Sequence, residues 1–95
     1  MIEVVTREAK LTYGSLRVLA YLYDKQDYVP LLQISSEGKI NYKTVRTAIP
    51  TLKELGLIEE KVEGGPPYRR LIKLTEKGRK AAEYAKKLLE VIEEQ

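Results

Sequence analysis

The sequence predicts an α+β fold, mostly helical, in which a three-helix core is followed by a two-stranded β-hairpin and a long C-terminal helix. Three observations carry this expectation. Asn41 stands directly before an amphipathic run that stops at Gly56. Gly64-Gly65-Pro66-Pro67 separates two short strand-like segments, residues 57–63 (LIEEKVE) and 68–74 (YRRLIKL). Thr75 opens a last periodic stretch that runs almost to residue 95. A chain of 95 residues has material for one small core. Residues 1–95 are therefore expected to form a single domain.

In order along the chain, residues 1–10 are the least defined: Ile2, Val4 and Val5 suit either a short strand or the start of a helix. Thr12 can cap a helix whose apolar residues Leu16, Leu19, Ala20 and Tyr23 fall at i, i+3, i+4 and i+7, with Val18 and Leu22 widening the stripe. Pro30 suits the first turn of a short helix over 30–36 with Leu31, Leu32 and Ile34 inward. Gly38 fits the left-handed position that ends it. Asn41 is a good N-cap, and Ile40 and Val45 are spaced as a hydrophobic staple around it. Val45, Ala48, Ile49, Leu52 and Leu55 continue as one apolar face, and Gly56 ends this helix. Pro50 falls inside it and removes a backbone bond to Arg46. Either it kinks the helix or it marks an adjustment around the core. The two strands and their Gly-Pro turn make a hairpin, and Thr75 caps the final helix. A short helix, a turn and a capped helix form a helix-turn-helix, and the hairpin directly after it makes the winged variant. The winged-helix core is assigned to residues 11–75 and the last helix to 76–95.

Composition excludes much. Cysteine and histidine are both absent, so disulfides, zinc fingers, thiolate chemistry and imidazole catalysis are excluded. No metal, cofactor or catalytic residue is expected, and an enzyme is not. No apolar run approaches the ~20 residues of a membrane span. The N-terminal MIEVVTREAK mixes acids with its few apolar residues, so no signal peptide is expected and the compartment is cytoplasmic. Twelve Glu and eleven Lys against one Asn and three Gln lean towards a thermophile.

The net charge of +3 is unevenly spread. Residues 39–53 contain Lys39, Lys43, Arg46 and Lys53 and no acid; residues 64–82 contain six cations and only Glu76. Between them, residues 54–63 hold four Glu and one Lys.

The stretch TVRTAIPTLKELGLIEE followed by RRLIKLTEKGRK resembles the winged-helix core of MarR- and PadR-type transcription regulators. The Leu55-Gly56-Leu57-Ile58 junction and the Leu74-Thr75-Glu76-Lys77-Gly78 segment carry the match, and the wing Gly64-Gly65-Pro66-Pro67-Tyr68-Arg69-Arg70 is most similar to the PadR type. The resemblance covers about residues 11–80. Small archaeal chromatin proteins of winged-helix type are similar in size and layout. The resemblance implies a homodimer that binds double-stranded DNA, as a regulator or as an architectural protein.

The residues support the same partner independently. A helix fits the major groove and its N-terminal residues reach base edges. The candidate DNA-binding residues are Lys39, Asn41, Tyr42, Lys43, Thr44, Arg46, Thr47 and Lys53, with Arg69 and Arg70 on the wing. Arg46 suits guanine, Thr44 and Thr47 suit a thymine methyl, and Lys43 suits phosphate. The alternative is a solvated basic face. Tyr42 either contacts DNA or packs over the turn. Arg69 and Arg70 point to opposite faces; either can reach phosphate or minor groove, or pair with Glu59 or Glu60. Lys77, Arg79 and Lys80 at the start of the last helix oppose its dipole, which favours an external anion.

Ala81, Ala85, Leu88 and Ile92 have coiled-coil spacing, and with Leu89 they are the expected dimer interface. The leading expectation is a sequence-specific transcriptional regulator, a homodimeric repressor, with helix 42–55 in the major groove and wing 57–74 on the backbone or minor groove. An architectural binder or a winged helix for protein contacts is the alternative. No site for a small-molecule effector is visible.

Overall fold

Thr12 starts the first helix in the computed structural model, which describes residues 11–93. Its hydroxyl accepts from the Ser15 N–H, as an N-cap should, and α1 runs Tyr13–Tyr23. Val18, Leu19 and Leu22 are the buried side, while Leu16 and Tyr23 pack at its margin. The expectations for Ile2, Val4 and Val5 lie outside the described residues.

The second element corrects the sequence reading. Val29–Pro30 is a short strand, β1, and α2 runs Leu31–Gly38 with Pro30 as its N-cap. Val29 pairs with Ile72 and Pro30 with Leu71, so among the described residues a third antiparallel strand joins the two of the wing. Proline is tolerated because β1 is an edge strand. Leu31 and Ile34 are buried as expected, but Leu32 is 68% exposed. The left-handed residue at the end of α2 is Lys39 (φ 54°), not Gly38. A lysine there costs about 1 kcal/mol, and the turn is held by three bonds that offset it. The Ile40 N–H donates to the Ser35 carbonyl, Ser35 Oγ donates to the Ile40 carbonyl, and Arg17 reaches from α1 to the Gly38 carbonyl at 2.9 Å.

That turn aims the next helix. Asn41 caps α3 (Tyr42–Glu54) by accepting from the Lys43 and Thr44 N–H groups. Ile40 and Val45 are both buried, with Ala48, Ile49 and Leu52 completing the inner face. Pro50 is exposed on the outer face and lies within the continuous helix. Gly56 follows with φ 77°, the left-handed conformation that closes a helix.

Strands β2 (Ile58–Glu63) and β3 (Arg69–Leu74) pair in the register Ile58↔Leu74 to Glu63↔Arg69, and β3 is the centre of the sheet. Thr75 caps α4 (Glu76–Ile92) by accepting from the Gly78 N–H. Gly78 is where α4 touches the backbone just before β2. A Cβ there would lie 1.8 Å from the Leu57 carbonyl oxygen, so no side chain fits.

Two of the three cations opening α4 are bonded within the chain. Lys77 donates to the Leu55 carbonyl at the end of α3, at 2.9 Å. Arg79 donates to the Tyr23 and Lys25 carbonyls at the end of α1, at 3.2 and 2.6 Å. Both cap the carbonyl ends of neighbouring helices, where positive charge is favoured. The expectation that these cations point to phosphate is corrected for Lys77 and Arg79.

The inner stripe of α4 is Gly78, Ala82, Ala85 and Leu89. Of the five residues assigned to a dimer seam, Ala85 and Leu89 are buried within their own chain and Ala81 is half-buried, packed against the same core. Leu88 and Ile92 are exposed, and so are Tyr84 and Val91. The apolar residues cover about half of the helix circumference. Packing on α1 turned the stripe of small residues inward and left Tyr84-Leu88-Val91-Ile92 outside.

Candidate nucleic-acid interface

One surface collects most of the residues singled out from the sequence. The Asn41 cap fixes the first turn of α3, and the inner face Val45-Ala48-Ile49-Leu52 fixes its rotation. Tyr42, Lys43, Arg46, Thr47 and Pro50 are therefore the exposed stripe, with Lys39 and Asn41 exposed just before it. Lys39, Lys43 and Arg46 make no ion pair with a carboxylate among the described residues. Their charge stands open to solvent.

Thr44 is turned from that stripe towards α1. It is half-buried beside Gly14, where a side chain would meet the Thr44 methyl at 2.4 Å. This close approach forms a cleft of about 260 Å³ between the start of α1 and α3. Thr12, Ser15, Lys43, Thr47 and Thr51 line it. Thr12, Ser15 and Thr51 were not singled out from the sequence, because their proximity to Lys43 depends on how the two helices cross.

Tyr42 lies 39% exposed with the Arg46 guanidinium 5.8 Å from its ring centre, within the range of a cation–π contact. It also lines a notch of about 250 Å³ between the helix-turn-helix and the wing, shared with Leu32, Pro67, Tyr68, Arg69 and Arg70. Leu32 and Tyr68 are large, exposed and were missed. For Leu32 the helical spacing suggested the core; for Tyr68 nothing local marked it.

The wing separates its two arginines as alternation requires. Arg69 is exposed near the tip and unpaired among the described residues. Arg70, on the opposite face, binds Glu60 through Nε and again through Nη2 at 3.3 Å. Lys53, from the end of α3, donates to the same Glu60 at 3.1 Å. The Arg70 guanidinium, with Lys53 beside it, holds the Glu60 carboxyl below the usual carboxylate range. Glu59 points to the other face, where it accepts from the Tyr28 hydroxyl at 3.0 Å. Of the two glutamates weighed from the sequence, Glu60 is the partner and Arg70 the arginine it takes.

Two of the ten candidate DNA-binding residues, Lys53 and Arg70, are thus tied into an internal ion cluster. Thr44 faces a cleft, and the remaining seven are exposed. Among the described residues no helix is long and apolar enough to cross a membrane, and no group of metal-binding side chains occurs.

No family model and no curated protein matches the sequence. Solved structures do. A protein from Archaeoglobus fulgidus superposes with a TM-score of 0.70 at 23% identity, covering 93% of this chain and 97% of that one. Staphylococcus aureus MepR in a DNA-binding conformation gives 0.71 at 25% identity, covering 90% of this chain and 64% of MepR. A MarR-family transcriptional regulator from Silicibacter pomeroyi gives 0.73 at 22%, covering 85% and 53%. The chain therefore has a MarR-like winged-helix fold with a long C-terminal helix, and it spans roughly half to two thirds of the length of those two regulators.

Proposed function

We propose that this protein is a transcription regulator that binds double-stranded DNA as a homodimer, and that it acts as a repressor. The observation that carries the proposal is the exposed, acid-free stripe Tyr42-Lys43-Arg46-Thr47 at the N-terminal end of a capped helix. A helix of this shape fits the major groove with that end against the bases. Arg46 grips a guanine edge, with the Tyr42 ring beside it. Thr47 meets a thymine methyl or a phosphate, and Lys39 and Lys43 neutralise the backbone. Arg69 carries the wing's contact with phosphate or a narrow minor groove. The likeness to MepR, a regulator solved in a DNA-binding conformation, supports the same docking.

The homodimer rests on α4. Tyr84, Leu88, Val91 and Ile92 form an exposed apolar stripe two turns long, and a second copy buries it twice over. A leucine so buried contributes about 1.5–3 kcal/mol. Two recognition helices related by a two-fold axis then meet successive major grooves about 34 Å apart, which calls for an inverted repeat.

Selection from a pool of random duplexes, followed by affinity measurements over a range of salt, tests this function. An enriched inverted repeat is expected, with log K against log[salt] falling at roughly −5 to −9 per dimer. A slope near zero removes nucleic acid as the partner. Uniform recovery of all sequences replaces the regulator with an architectural protein.

A further inference from the structure

The cluster of Glu60, Lys53 and Arg70 has an unusual position for a carboxylate. It joins three elements, α3, β2 and β3, at the root of the wing beside the proposed DNA face. The Glu60 side chain is only 8% exposed, whereas those of Lys53 and Arg70 are 49% and 38% exposed. The cations therefore reach solvent while the acid is enclosed behind them. Arg70 takes one carboxylate oxygen through Nε and the other through Nη2. This two-pronged grip is also how arginine holds a phosphate group. Lys53 adds a second cation to one of the same oxygens.

We propose that Glu60 is an internal substitute for DNA phosphate and a specificity-determining residue of this interface. It occupies Lys53 and Arg70 in the free protein. They reach the DNA backbone only where a duplex of matching shape brings a phosphate close enough to displace the carboxylate. A mismatched duplex meets two fewer free cations per protomer, so non-specific binding, which rests on phosphate neutralisation, is weakened most. Glu60 acts through Lys53 and Arg70 and is a positioning residue. The inference rests on the DNA-binding function above.

The test uses the full chain, a random-sequence duplex and the duplex enriched by selection, with affinity measured at several salt concentrations. Glu60→Gln keeps the shape and removes the charge. On the random duplex its log–log salt slope should steepen by about 1–2 per protomer, at ~0.9 for each phosphate neutralised. The ratio of selected to random affinity should fall. Glu60→Asp, which keeps the charge, should retain the wild-type slope. In a Lys53→Met/Arg70→Met background Glu60→Gln should change nothing, since there is no cation left to release. A wild-type slope for Glu60→Gln on the random duplex overturns the proposal. So does the same steepening in the Lys53→Met/Arg70→Met background, which would mean simple loss of a negative charge. Failure of the wild-type protein to bind any duplex would instead refute the DNA-binding function itself, and this inference with it.

Discussion

Helices α3 and α4 both carry cations in or near their first turns, and the two sets have different fates. Lys43 and Arg46 of α3 project from a face whose opposite side is buried, with no carboxylate partner among the described residues. Lys77 and Arg79 of α4 bend back and donate to the carbonyl ends of α3 and α1. In sequence the two groups look alike, and the second even lies in the more positive block. The difference teaches that formal charge is not available charge. A cation is free for a partner only when no helix end or carboxylate of its own chain lies within reach. By the same standard Arg70 is committed and Arg69 is not.

The largest expected effect concerns the other side of α4. Leu88→Glu puts like charges against each other across the axis of the proposed dimer. It should leave a folded monomer that binds an inverted repeat at least 100-fold more weakly, because the second half-site no longer adds to affinity. Light scattering and DNA titration check both parts; a variant that stays dimeric would move the interface elsewhere.

The next two predictions oppose the two cation sets directly. Arg46→Ala should cost ~1–3 kcal/mol of DNA affinity and relax preference at one base position, without changing the melting temperature appreciably. Arg79→Met should do the reverse. It removes two charged hydrogen bonds to partly buried carbonyls, so about 1–2 kcal/mol of folding stability should go, with DNA affinity held. Denaturant titration beside binding curves separates the pair. Loss of DNA affinity in Arg79→Met at full stability would erase the distinction between the two helices.

The smallest effect is the pH dependence of the Glu60 cluster. The folded protein holds the Glu60 carboxyl below its ordinary value of 4.5. Its contribution to stability is therefore complete above about pH 4.5 and is lost as pH falls through the lower folded value. The melting temperature of the wild type should drop more steeply below pH 4.5 than that of Glu60→Gln, by the equivalent of about 1 kcal/mol or less. Parallel curves for the two proteins would show that the cluster adds nothing to the fold.

Capping chemistry made the helices legible in the sequence. Thr12, Asn41 and Thr75 each accept from an N–H of the following turn, and all three mark the true helix starts within one residue. The Gly-Gly-Pro-Pro turn located the hairpin for the same reason: these residues restrict the backbone locally, whatever surrounds them. The exposed stripe of α3 followed too, since a capped helix with one apolar face leaves the other side outside.

Contacts between distant segments decided the rest. Strand β1 has two residues, too few to show any alternation, and exists because Val29 and Pro30 meet Ile72 and Leu71. Which stripe of α4 turned inward depended on packing against α1 and on the Gly78 approach to Leu57, for its apolar residues fit two rotations. The pairing of Arg70 with Glu60, and not Arg69 with Glu59, came from strand register. Helix periods and caps are properties of a few consecutive residues, so the amino-acid order determined them. The freedom of a cation and the exposure of an apolar face depend on what the rest of the chain brings alongside, which tertiary structure alone decided.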